Sequence, residues 1–273
     1  MRKVLAFALS LALAGSGSAI GALPSGEERA PQTIRVRPVR SPTFLDPDFD
    51  IDATATSGLP VQFTASGDCS VDGATVRLLS AGRCVVTASQ PGDSQFQAAP
   101  EVKIHLSIGK AEQKIDFPRP PARTFLDPDF ELDVTASSGL PVVLVASGDC
   151  EVNDSTVHIL GAGTCTVSAR QPGDRDFTAA RIVDVRFPIA RAEQAIDFRL
   201  NGVFYRGTSV ALSASATSRL PVRFEAYGSC AVVGTVLNLL AEGICTVNAD
   251  QLGNRNFSAA PTVTKSATVL WSQ

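Results

Sequence analysis

The chain has 273 residues, 44% of them hydrophobic, and a formal net charge of −3. That apolar fraction is ample for packed cores, while the charge leaves no basic footprint for nucleic acid. Two histidines, one tryptophan and two tyrosines leave little material for histidine chemistry or for aromatic sugar-binding platforms.

The first predicted element is an export signal over residues 1–22. Arg2 and Lys3 form a charged start, and Val4 to Ala14 is an apolar run too short to span a bilayer. Gly17-Ser18-Ala19 suits cleavage after Ala19, with Ala22 as the second candidate, so the mature protein is expected to begin near Ile20. The alternative is a buried N-terminal helix or an uncleaved anchor, which Gly15 to Ser18 would break. No cysteine lies nearby for lipid attachment, and the mature chain is expected to carry no integral membrane segment.

Residues 23–31 read as a linker, and three copies of one pattern follow at a spacing of 81 residues, shortening to 80 between the second and third copies after the opening Gln-x-Ile. Gln32-Thr33-Ile34 matches Gln113-Lys114-Ile115 and Gln194-Ala195-Ile196. Ser57-Gly58-Leu59-Pro60-Val61 matches Ser138-Gly139-Leu140-Pro141-Val142 and Ser218-Arg219-Leu220-Pro221-Val222. Gln90-Pro91-Gly92-Asp93 matches Gln171-Pro172-Gly173-Asp174 and Gln251-Leu252-Gly253-Asn254, with Phe96, Phe177 and Phe257 following at one offset. A repeat this long is a whole small domain rather than one layer of a solenoid. The expected domains are 32–109, 110–190 and 191–273.

Within the first copy the pattern is β. Ile34-Arg35-Val36 opens it, and Ile51 to Thr56 alternates. Gly58-Leu59-Pro60 punctuates, then Val61 to Thr64 alternates again. Asp72-Gly73 is a hairpin signal, followed by Thr75 to Leu79, Val85 to Ala88 and Val102 to Leu106. About seven short strands with frequent turns and no helical period predict an all-β, immunoglobulin-like two-sheet sandwich in each copy.

Six cysteines allow fifteen pairings. An isolated copy can satisfy its cysteines only internally, so the economical solution is Cys69–Cys84, Cys150–Cys165 and Cys230–Cys245. Export makes these disulfides, each expected to staple the strands on either side of a hairpin, unlike the inter-sheet bridge of antibody domains. A two-cysteine unit lacks the further ligands of a structural zinc site.

The order Gln-x-Ile, Ser-Gly-Leu-Pro-Val, Gly-x-Cys, Gly-x-Cys and Gln-x-Gly with a later Phe-x-Ala-Ala resembles the MBG-type, or bacterial Ig-like, repeats of cell-surface and secreted proteins. The match runs from residue 32 to about 270. The third copy departs most, with Arg219 for glycine, Leu252 for proline, and Tyr205-Arg206-Gly207-Thr208-Ser209-Val210 for the Phe-Leu-Asp-Pro-Asp-Phe run. The resemblance implies an extracytoplasmic, bacterial, structural or adhesive role.

Candidate sites are few. Asp46 and Asp48, and Asp127 and Asp129, with Asp50 or Glu131, could chelate calcium; the other reading is a proline-fixed turn with carboxylates bonding nearby backbone. Asp93, Asp174 and Asn254 read as turn residues. His105 and His158 occupy unrelated repeat positions and read as strand surface. There is no Gly-x-Ser-x-Gly elbow in the mature chain and no phosphate loop. The expectation is therefore a non-enzyme without cofactor. Its partner would be a protein or envelope component, not nucleic acid, of unspecified identity and with unspecified oligomeric state. It either spaces or presents a binding surface, or binds one envelope partner through the divergent third copy.

Overall fold

The computed structural model describes residues 28–271, so the export signal expected over residues 1–22 lies outside the described residues. The described chain is all β. Eight strands make up the first copy, from Ile34–Val36 to Val102–Ile108, and nine make up each of the other two. Among the described residues no helix is long and apolar enough to cross a membrane.

The second copy illustrates the plan. One sheet has the order Arg123–Thr124, Val183–Ala190, Gly163–Arg170, Val143–Gly148. A second has the order Phe130–Glu131, Thr156–Ile159, Cys150–Asn153, and a short ribbon pairs Ile115–Asp116 with Thr135–Ala136. Alternation along Gly163–Arg170 sends Cys165, Val167 and Ala169 inward, all fully buried. They meet Cys150, Val157 and Ile159 from the second sheet, with Phe187 and Ile189 completing the cluster. This is an immunoglobulin-like sandwich: each sheet hides one face against the other. The third copy repeats it with Leu237, Leu239, Cys245, Val247, Ala249 and Val269.

Three features depart from expectation. The Ile51–Thr56 run is strand only at Ala53–Ala55, and Phe49–Asp50 just before it belongs to a different sheet. Ile51, 3% exposed, anchors the crossing point between them. A strand at Cys69–Asp72 was not anticipated; it pairs with Thr75–Leu78 across the Asp72-Gly73 turn, where Gly73 has φ +59°. Finally, each disulfide is an inter-sheet bridge. Cys69 lies in the sheet of Thr75–Leu78, whereas Cys84 lies in Gly82–Ser89 of the opposite sheet, their Cα atoms 5.5 Å apart. The chain turns from one sheet into the other between Gly67 and Cys69, so two cysteines only 15 residues apart end on facing sheets. Cys150–Cys165 and Cys230–Cys245 repeat this. Such bridges belong to an oxidising, extracytoplasmic compartment.

By backbone contacts the chain forms two compact units. One runs to Arg40 and includes Asp48–Arg77 and Cys84–Leu106; the other comprises Ser41–Pro47, Leu78–Arg83 and the described residues from Ser107 onward.

Candidate functional site

The recurring polar motifs converge on one buried network in each copy. In the second, Gln113 Nε2 donates to Gln171 Oε1 (2.7 Å) and to the Thr178 carbonyl (2.7 Å). The Ser138 hydroxyl donates to Gln113 Oε1 (2.5 Å) and itself accepts from Leu140 N (3.2 Å). Gln171 Nε2 donates to the Pro141 carbonyl (3.3 Å), and its Oε1 also accepts from Gly173 N. The first and third copies repeat these bonds through Gln32, Ser57 and Gln90, and through Gln194, Ser218 and Gln251. All six glutamines are buried, so their amides must find partners inside the protein. The Gln-x-Ile, Ser-Gly-Leu-Pro and Gln-x-Gly motifs are thus one structural device. Gly173 sits at φ +77°, where an added Cβ would collide with the Phe177 carbonyl; this is why the loop keeps glycine.

The acidic candidates are spent locally. Asp46 Oδ2 accepts from Thr43 N (2.7 Å) and Asp127 Oδ2 from Thr124 N (2.8 Å), closing the turns in which Leu45 and Leu126 have positive φ. Asp50 accepts from the Thr75 hydroxyl (2.6 Å). Glu131 accepts from Ser155 and Thr156, which hold its carboxyl below the usual range. Asp129 pairs with His158 Nδ1 at 2.7 Å, and that bond raises the imidazole pKa above its ordinary value. The matching pair in the third copy, Ser209 and Asn238, also bonds across strands (2.8 Å), which marks the position as a cross-strand polar pair. Asp48 lies beside the strand Phe49–Asp50 and is exposed. Among the described residues no group of three or more His, Cys, Asp or Glu side chains is arranged to hold a metal ion. Asp93, Asp174 and Asn254 each accept from the backbone N–H groups two and three residues on, as turn residues do. His105 is exposed on the strand Val102–Ile108.

Inside the larger unit, one end of a copy receives a loop of the next. The Phe125 ring stacks edge-on against Phe257 at 5.6 Å. Asn256 Oδ1 accepts from Ala162 N (3.0 Å), and Arg255 forms an ion pair with Asp149. Phe44 and Phe177 repeat the ring contact at 5.7 Å, and Asp176 Oδ1 accepts from Ala81 N (2.8 Å) and from the Ser80 hydroxyl. The Ser80 bond holds the Asp176 carboxyl below the usual range. The recurrence of these phenylalanines at one offset is visible in the sequence, but their role at the copy boundary is not.

The second copy also has an apolar edge. Val143–Gly148 ends its sheet, with Val143 (54%), Val145 (50%) and nearby Ile182 (51%) exposed. The corresponding residues are Gln62, Thr64 and Glu101 in the first copy and Arg223, Glu225 and Thr262 in the third. Charges of that kind discourage edge-to-edge pairing, and the second copy lacks them.

No family model matches the chain, and no curated protein matches it. Among solved structures, Drosophila N-cadherin EC1-4 is 14% identical over 89% of this chain and 73% of that one, with a TM-score of 0.30. Sidekick-1 immunoglobulin domains 1-4 are 12% identical over 90% and 72%, with a TM-score of 0.29. The S-layer protein rSbsC(31-844) is 14% identical over 87% and 40%, with a TM-score of 0.28. Likenesses this distant carry no argument about function; the fold rests on the strand pairing above.

Proposed function

We propose that the chain is a non-enzymatic, extracytoplasmic structural or adhesive module of three Ig-like domains, bounded at 32–109, 110–190 and 191–273. In this reading it spaces and presents a binding edge. The observation that carries the proposal is the use of the recurring polar residues: glutamine, serine and loop acids are consumed in holding each copy and in seating one copy's loop on another. The resemblance to bacterial Ig-like repeats and the export signal expected over 1–22 support a periplasmic or secreted location. An accessory protein binding one envelope partner is the second reading. The apolar edge at Val143, Val145 and Ile182 favours the second copy as its surface, rather than the divergent third, with β-strand addition by a protein segment as the mode. Replacing Val143→Arg and Val145→Glu transplants the third copy's guarded edge. Capture of an envelope protein by the parent and not by this variant, with both folded, is the expected result. Equal capture by both would move the binding surface elsewhere.

A further inference from the structure

The end face that receives a loop in two copies also exists in the third. Where Phe44 and Phe125 hold the next copy's phenylalanine, the third copy carries Tyr205, 45% exposed. Tyr205 lies in the short strand Phe204–Tyr205, paired with Val269–Leu270, and Leu270 and Trp271 beside it are exposed as well. Arg206 lies over the Trp271 ring at 5.0 Å. Behind the face lies Ser229, the counterpart of Asp149, whose hydroxyl is buried without a hydrogen-bond partner among the described residues.

The docking loop recurs too, and its first-copy version differs from the others in a matching way. The loops of the second and third copies carry Arg175-Asp176-Phe177 and Arg255-Asn256-Phe257; the first carries Ser94-Gln95-Phe96. Arg255 docks on a carboxylate, Asp149. The third copy has the buried Ser229 at that place and the first-copy loop has Ser94, so both charges of the pair are lost together and neither is left without its counterpart. Asp176 and Asn256 accept from the backbone N–H of Ala81 and Ala162. At the equivalent place the third copy has Glu242, beside which the neutral amide of Gln95 can still accept while a carboxylate would be repelled.

We propose that the end face of the third copy, formed by the exposed Tyr205, Glu242 and Trp271, docks the Ser94-Gln95-Phe96 loop of a second molecule of this chain. The contact is heterologous, head to tail, and propagates into open chains unless the rotation closes a ring. It goes beyond the spacer reading and does not need a foreign partner. One ring pair and a few hydrogen bonds make it weak between separate molecules.

The test is sedimentation velocity on the mature protein from about 10 µM to about 1 mM, the range in which weak contacts show. The weight-average sedimentation coefficient should rise with concentration for the parent. Tyr205→Glu should abolish the rise. Gln95→Glu, an exposed position, should weaken association at least tenfold by facing Glu242, and adding Glu242→Lys to Gln95→Glu should restore it. Backbone amide exchange of each variant establishes that it is folded. A parent that stays monomeric across the range, or association indifferent to Tyr205→Glu and Gln95→Glu, would overturn the proposal. So would failure of Glu242→Lys to rescue.

Discussion

Replacing Gln171 by leucine should strongly destabilise the second copy while leaving its shape requirements met. Gln171 is 5% exposed and makes three bonds: it accepts from Gln113 Nε2 and Gly173 N and donates to the Pro141 carbonyl. Leucine fills similar volume but leaves Gly173 N and the Pro141 carbonyl without this partner and removes one of the two acceptors of Gln113 Nε2. A buried polar group left without a partner costs about 1–3 kcal/mol. Gly173 N and the Pro141 carbonyl border a loop that water can reach, so the lower end applies to each, and the sum is about 3–4 kcal/mol. A domain of this size has roughly 4–12 kcal/mol in all. The assay is native-state amide exchange read by mass spectrometry, which reports each copy separately in the intact protein. Peptides covering Val143–Gly148 and Gly163–Arg170 should lose about 10²- to 10³-fold in protection, at ~1.4 kcal/mol per tenfold. Peptides of the third copy, whose own Gln251 network is intact, should keep theirs. Protection of the second copy within threefold of the parent would refute the claim that the repeated glutamines hold the fold.

Arg219 holds φ +62° at the turn where Gly58 and Gly139 hold +79° and +75°, so Arg219→Gly should stabilise the third copy by about 1 kcal/mol; unchanged or lower exchange protection there would sink the strain argument. Peptide mapping without reduction should link Cys69 to Cys84, Cys150 to Cys165, and Cys230 to Cys245. Cys150→Ser should then cost the second copy about 2–5 kcal/mol by urea or exchange, and no measurable loss would contradict the bridge between sheets. The His158 imidazole, bonded to Asp129, should titrate by NMR above an ordinary histidine. Because its folded pKa is raised, the pair's contribution is full below the unfolded pKa and fades as pH rises through the folded one. Asp129→Asn should return the midpoint toward the ordinary value, and a midpoint that does not move would assign the shift to another cause.

The all-β class was legible in the sequence because a strand's buried face alternates locally. Val85 to Ala88 and Thr75 to Leu79 show that alternation without knowledge of any partner. The period of 81 and 80 residues likewise showed that Gln32, Ser57 and Gln90 belong to one recurring unit. It could not show that they touch. Gln32 and Gln90 are 58 positions apart, and their bond exists only because a sandwich brings its first strand beside the loop after its longest one. The sheet assignment of the cysteines was hidden for a related reason. Separation along the chain says how large the closed loop is, not on which side of a corner its ends lie, and the turn between Gly67 and Cys69 is what moves the chain to the other sheet. The docking role of Phe125 and Phe257 was hidden more deeply. A phenylalanine recurring at one offset satisfies a core and a copy boundary equally, and only the tertiary arrangement, which sets the two rings 5.6 Å apart, separates the two roles.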